Sequence, residues 1–278
     1  MGLVTKGDGW RLSDEVWAVM GPLLPPHEVH HPLGCHRQRV PDRDAMNGIL
    51  FVLRTGCQWN ALNATGICSS SSTHRRFIEW VEAGVFERFW QVGLLAYDEL
   101  KGLDWNWMSM DGAMSKAPLP GSKKTGRNPT DRGKQGVKRS LLTEAAGIPV
   151  AIVIDGANRH DMKLVEDTLN AAAPLRPKST PDHPQGLCLD KGYDYDEVRE
   201  IIKAFGYTAH IRTRGEEAQR LKRDVGFKAR RWVVERTHSW LNRFRRILVR
   251  WEKRVDTYLA MLHLACGIIT GRAAHLLG

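Results

Sequence analysis

Apolar positions recur at helical spacing through the first hundred residues, and beyond Trp105 the period shortens to two. The stretch SDEVWAVMGPLL predicts a helix capped by Ser13 and stopped by Pro25-Pro26. A second helix carries Met46, Ile49, Leu50 and Leu53, opened by Asp42 or Asp44 and ending near Gly56. The segment THRRFIEWVEAGVFERFWQVGLLAYDEL predicts two helices broken near Ala83-Gly84. Short helices with basic residues at one start (His74, Arg75, Arg76) suit a helix-turn-helix-like DNA reader, and a plain helical bundle fits the pattern equally well.

From Trp105 onward, WNWMSMDGAM predicts a strand ending at a carboxylate. VKRSLLTEAAGIPVAIVIDGA predicts a hairpin turning at Ala146-Gly147, with Val150, Ile152 and Ile154 on its second arm. Between them, residues 115–139 are rich in Lys, Arg, Gly and Pro and form a polar loop too long for a tight turn. DMKLVEDTLNAAA is an amphipathic helix, LCLD a short buried strand, YDEVREIIKAFG a helix closed by Gly206, and YTAHIRT the next strand. This order predicts an α/β fold with a mixed sheet. Residues 257–277 form a mostly apolar helix expected to pack across that domain.

RWVVERTHSWLNRFRRIL, residues 231–248, predicts one strongly basic helix. Val233, Thr237, Trp240, Leu241, Phe244, Ile247 and Leu248 share a stripe, and Arg231, Glu235, His238, Asn242 and Arg246 lie opposite. If Glu235 points into a site on the sheet, the apolar stripe must pack elsewhere. Trp240, Phe244 and Leu248 are expected against the C-terminal helix, with Trp232 and Val233 helping near the sheet.

Charge changes the picture more than composition does. The chain of 278 residues is ordinary in its 42% hydrophobic and 26% charged content, but its formal charge of +10 points to a polyanionic partner. Residues 212–254 hold fifteen Lys/Arg and five Asp/Glu, a balance of +10, so the basic character is concentrated there. No apolar run approaches the roughly 18 residues of a spanning helix, so no membrane partner is expected. The N-terminus lacks the apolar core of a signal peptide. Five scattered cysteines without a CxxC pair argue for a reducing cytoplasm, with Cys188 and Cys266 as buried small hydrophobes.

Three acids stand at predicted element ends: Asp111 after WMSM, Asp190 after LCL, and Glu235 on the basic helix. Two strand-terminal aspartates can sit side by side if their strands neighbour each other, and a crossing helix can add Glu235. Three carboxylates at one point repel unless a divalent cation neutralises them, and hard oxygen ligands suit Mg²⁺ or Mn²⁺. Each has a plainer reading: Asp111 as a cap or turn former, Asp190 as part of a DKGYD turn, Glu235 as an ion-pair partner of Arg231 or Arg236. Asp155 competes with Asp190, which is preferred because Lys191 and Gly192 leave room and charge for a phosphate backbone. Glu144 reads as a solvated strand residue, and His160 and Asp161 as the start of the following helix.

Taken together, GCQWNAL, THRRFIEWVEAGVFERF, MDGAMSKA, TGRNPTDRGKQGVKRSLLTEAAGIPVAIVIDGANRHD, LDKGYD and RWVVERTHSWLNRFRRI, between about residues 41 and 250, resemble the bacterial transposases of insertion-sequence family five. That resemblance implies a DDE catalytic domain with a ribonuclease-H-like fold, a mixed sheet flanked by helices and preceded by a small all-helical N-terminal domain. It implies Asp111, Asp190 and Glu235 as the catalytic and metal-binding triad for two Mg²⁺ (or Mn²⁺) ions. It also implies cleavage of transposon ends by water, then attack of the new 3′-hydroxyl on target DNA. Arg231 fits the arginine of the signature around the third acid; Lys228 stands at its aromatic position and Asn242 at its downstream lysine. The residues expected to meet DNA are Lys116, Lys138, Arg139, Lys191, Arg231, Arg236, Asn242, Arg243, Arg245 and Arg246.

The domains expected are 1–100, helical and DNA-binding; 101–255, catalytic; and 256–278, a helix packing on the catalytic domain. Expected partners are double-stranded DNA, both transposon ends and target, and a second copy of the chain in a homodimer or larger assembly. The expected location is the cytoplasm, on the nucleoid. A non-catalytic DNA-binding regulator and a nuclease without strand transfer are the competing readings.

Overall fold

The computed structural model describes residues 11–27, 39–211 and 232–276. They divide into two compact units: one of residues 1–97, 243–248 and 254–278, the other of residues 98–242 and 249–253.

The first unit is helical. Helix α1 (Asp14–Met20) begins where the Ser13 hydroxyl accepts from the Val16 amide, as its sequence predicts. Helix α2 (Asp42–Thr55) ends at Gly56, whose φ of 72° is the left-handed conformation that favours glycine as a helix stop. Helix α3 (Ser70–Glu82) starts at the Ser69 cap, and α4 (Val85–Lys101) follows the predicted break at Gly84. The C-terminal helix α8 (Val255–Ala273) belongs to this unit. Gly93 on α4 meets backbone atoms of Gly267 and Gly271 on α8, and a methyl group at Gly267 would stand 2.6 Å from the Phe89 ring. The sequence pattern assigned α8 to the α/β domain; this small-residue seam, invisible to periodicity, binds it to α4 instead.

The second unit is a mixed sheet with helices on it. Strand β1 (Trp107–Lys116) is central: β3 (Gln135–Thr143) runs antiparallel on one side and β5 (Gln185–Leu189) parallel on the other. β4 (Pro149–Gly156) pairs antiparallel with β3, β6 (Tyr207–Ile211) parallel with β5, and the two-residue β2 (Gly126–Arg127) pairs with the start of β3. Helices α5 (Val165–Ala172) and α6 (Asp196–Ala204) make the crossovers to β5 and β6. The predicted loop at 115–139 is partly sheet, since β1 extends to Lys116 and β3 already includes Lys138 and Arg139. Val249 bridges Lys116 at the end of β1, where buried Arg250 donates to the carbonyls of Lys124, Glu252 and Lys253.

Glu144 is buried, not solvated. Its carboxylate accepts from the Ile148 amide inside the β3–β4 turn, and burial pushes its pKa up. Among the described residues no helix is long and apolar enough to cross a membrane.

Candidate active site

Asp111 lies in the middle of β1, four residues beyond its first residue, and not at a strand end. The parallel ladder between β1 and β5 closes at the pair Ser109–Cys188. Two residues past that pair stand Asp111, still within β1, and Asp190, the first residue beyond β5. The charge of Asp190 is felt at Asp111. β4, which carries Asp155, is separated from β1 by β3, and Asp155 pairs with Arg159 at 3.4 Å. Asp190 also caps a single turn at Lys191–Tyr193, its Oδ1 accepting from the Gly192 amide at 2.8 Å.

The basic helix is shorter than its pattern predicts. Helix α7 spans Trp232–Leu241, and Arg245–Ile247 form a separate tight turn in the helical unit. That turn meets the C-terminal helix at Ile247, whose carbonyl accepts from the Tyr258 hydroxyl, while Trp240 stacks on Arg236, and Trp232, expected near the sheet, is exposed. Both faces of α7 are engaged within the α/β unit. Thr237 donates to the Gly147 carbonyl in the β3–β4 turn, and Val233 lies against the same glycine. His238, three residues after Glu235 and on its face, brings Nε2 to 3.3 Å from the Asp111 carbonyl. Arg139 of β3 donates to the Asn242 side chain at 3.1 Å just past the helix end. These tethers orient the Glu235 face toward β1, which resolves the conflict between the polar and apolar stripes.

The electrostatics centre on Asp111. Burial pushes its carboxyl up to about 6, the Gly112 amide opposes that, and the charges of Asp190, Asp161 and Glu235 raise it further. His238 is pushed down to about 3, by burial first and then by Arg139, so it is neutral at physiological pH. Tyr193 is buried, and burial followed by the charges of Asp161, Asp111 and Asp190 holds its phenol well above the usual range.

Asp161 is the participant the sequence pattern hides. It does begin a helical turn, as its position predicts, yet its side chain also reaches Lys138 on β3 at 2.9 Å and lies against Gly112. Only the glycine following Asp111 hinted at such an approach.

Of the cations expected to meet DNA, Lys138, Arg139 and Arg246 are buried and serve protein partners: Asp161, Asn242 and the Cys57 carbonyl respectively. Strand and turn positions, misread as loop and helix surface, account for the difference. Arg236 donates to the Ala146 carbonyl and stacks on Trp232 and Trp240. Lys116 and Lys191 stay mostly exposed beside Asp131 and Asp194. Arg243 and Arg245 are exposed, while Arg231, Lys228 and most of the basic segment before α7 lie outside the described residues. Arg76 on α3 is buried between Asp42 and Glu79, 3.0 Å from each, leaving Arg75 as the exposed arginine of that helix.

Among the described residues no three His, Cys, Asp or Glu side chains are grouped tightly enough to hold a metal ion as they stand. The donor chemistry nevertheless fits a hard cation: the carboxylates are oxygen ligands, they crowd like charge on a desolvated acid, and Asp161 Oδ1 is a buried atom with no hydrogen-bond partner.

Comparison with known proteins identifies two family models. "Transposase DDE domain" matches residues 108–269, more than half of the chain, and "Putative transposase of IS4/5 family" matches residues 12–90. The "Putative transposase for insertion sequence element IS402" of Burkholderia cepacia is 38% identical over 151 residues, 54% of this chain and 69% of that protein. The corresponding insertion-element protein of Brucella ovis, for IS6501, is 31% identical over 113 residues, 34% of this chain and 87% of that protein. Among solved structures, the Mos1 mariner paired-end complex with Mn is 11% identical, covering 88% of this chain and 82% of that one at a TM-score of 0.30, too loose a likeness to carry an argument.

Proposed function

We propose, for a chain that belongs to the DDE transposases of bacterial insertion sequences, that Asp111, Asp190 and Glu235 form the site that cuts transposon ends and joins them to target DNA. The observation supporting this assignment is the β1–β5 register, whose last pair, Ser109–Cys188, lies two residues before Asp111 and Asp190, together with the His238 contact that ties the Glu235 helix to the Asp111 backbone. These three acids would hold Mg²⁺ or Mn²⁺; bound there, two such ions activate the attacking oxygen and stabilise the leaving oxygen of a phosphodiester.

The chain's own residues do the rest. Asp111 must be ionised to act as a ligand; burial holds its metal-free carboxyl at about 6, so metal binding weakens as pH falls below that. Neutral His238 holds α7 without adding charge to the site. The exposed Lys116, Lys191, Arg243 and Arg245 meet phosphates, with Arg231 beside them in sequence, while Lys138, Arg139 and Arg246 fix the elements that present the acids. The helical unit, with Arg75 outward on α3, serves as the DNA-binding domain, and the α/β unit as the catalytic one. Two copies of the chain hold the two ends.

The test uses the full chain, a labelled duplex of the element's terminus and a second target duplex with Mg²⁺. Cleavage at the 3′ end and a joined product are expected. Asp111→Asn, Asp190→Asn and Glu235→Gln should each abolish both products while band-shift binding persists. Unchanged cleavage in all three variants overturns the assignment, and cleavage without joining by the native protein makes it a nuclease.

A further inference from the structure

We propose that the helical unit holds a terminal phosphate group in a cavity between α1, α2, α4 and α8, gripped by Arg11, Arg54 and Arg272. The cavity measures about 230 Å³, and every residue lining it belongs to this one unit. Its wall is largely apolar, built in part by Leu50, Phe89 and Ile268. Three guanidiniums meet there, from the segment before α1 and from the last turns of α2 and α8. No Asp or Glu is among the described residues that line it.

A cation in a last turn also suits the helix dipole, and that plainer role accounts for Arg54 or Arg272 singly. It does not bring them together on an apolar wall, where arginines serving only as surface groups would spread into water. Burial holds the Arg54 guanidinium below its ordinary range, and the charge of Arg272 pushes it the same way, so the two repel. Arg11 is held in place from α2: buried Asn47 accepts from the Leu12 amide at 2.7 Å, and the Leu12 carbonyl accepts from Arg43 at 3.0 Å. Arg11 Nε is buried with no hydrogen-bond partner among the described residues. Guanidinium forks pair with phosphate oxygens, and a phosphomonoester brings a charge of about −1.5 to −2 to three of them. A diester inside a strand continues on both sides and needs an open groove. A space between four helices, smaller than the roughly 300–1,000 Å³ of ordinary ligand sites, suits a terminal group. That group can come from a free phosphate species or from a DNA strand end bearing a 5′-phosphate.

Calorimetric titration of the full chain with inorganic phosphate, at an ionic strength fixed with chloride, tests this. One saturable site is expected. Arg11→Gln and Arg272→Gln should each bind at least about tenfold more weakly, and Lys203→Gln, on α6 of the other unit, like the native chain. Phenylglyoxal labelling of the native chain, mapped by mass spectrometry, needs no variant and decides alone if the arginine variants do not fold. Phosphate should slow modification of Arg11, Arg54 and Arg272 while Arg127 on β2 reacts as before. Displacement of phosphate by a 5′-phosphorylated oligonucleotide, and not by the same strand with a 5′-hydroxyl, identifies a DNA end as the source; if neither strand competes, the source is a free phosphate species. Equal competition by both strands shows a diester site and overturns the proposal. So does the absence of saturable binding, native affinity in both arginine variants, or labelling of the three arginines unchanged by phosphate.

Discussion

In the helical unit Arg76 lies 3.0 Å from Asp42 and from Glu79, and Arg39 reaches Glu79 at 3.1 Å; in the α/β unit buried Asp111 feels the charges of Asp190, Asp161 and Glu235. Burial alone would push Glu79 up, but hydrogen bonds from Arg39 and Arg76 outweigh it and leave its carboxyl below the ordinary value. Asp111 moves the opposite way, to about 6, with acids for neighbours. One interior neutralises its charges with protein partners and gains stability from doing so. The other holds a desolvated acid among like charges. The contrast separates residues kept for folding from residues kept for chemistry.

Asp111→Asn should break the contrast most. A folded pKa raised from 3.8 to about 6 means the protonated acid suits the fold, so this stability is present below pH 3.8 and is lost as pH rises through about 6. The difference corresponds to about 3 kcal/mol, an upper figure because some solvent reaches the group. Thermal melts without metal at pH 8 should therefore show Asp111→Asn more stable than the native chain, with the gain absent at pH 3.5, while activity falls by roughly 10³-fold or more. Arg76→Met should do the reverse, destabilising the helical unit by about 2 kcal/mol in denaturant melts. That is less than the 3–5 of a fully buried pair because Asp42 and Glu79 keep some exposure.

His238 sharpens the comparison from the acid side. Its folded pKa is depressed to about 3, so its contribution is present above pH 6.5 and is lost as pH falls toward 3. His238→Gln, which keeps an amide donor for the Asp111 carbonyl, should resist acid better than the native chain by about 2 kcal/mol at pH 5 in parallel melts. The smallest effect belongs to exposed Lys191, which sits beside Asp194. Lys191→Ala should lower DNA affinity evenly across sequences and reduce the slope of log affinity against log salt by about 1.

Most of the helical unit was legible because its signals are local: Ser13, Gly56 and Gly84 mark ends that the chain obeys. The hairpin at Ala146-Gly147 and the α/β order were legible for the same reason. What escaped was non-local. The seam of Gly93, Gly267 and Gly271 that seats α8 has no periodic signature. Helix α7 stops at Leu241 although its apolar pattern continues, since the residues beyond it join a different unit. At the candidate site, residue type singled out the three acids, but the strand-end position expected for Asp111 was wrong, since β1 continues to Lys116 as the partner of β3. Asp161 was hidden because its contact with Gly112 and its pairing with Lys138 depend on the β4–α5 connection, which only tertiary packing brings against β1 and β3.

The most direct test follows the Asp111 carboxyl carbon by NMR, assigned through Asp111→Asn, across pH with and without Mg²⁺. Without metal it should titrate near pH 6, and with Mg²⁺ its midpoint should fall by well over one pH unit as the ion takes up the repulsion. Titration at an ordinary aspartate value, unmoved by Mg²⁺, would contradict the claim that this interior is built around a missing positive charge.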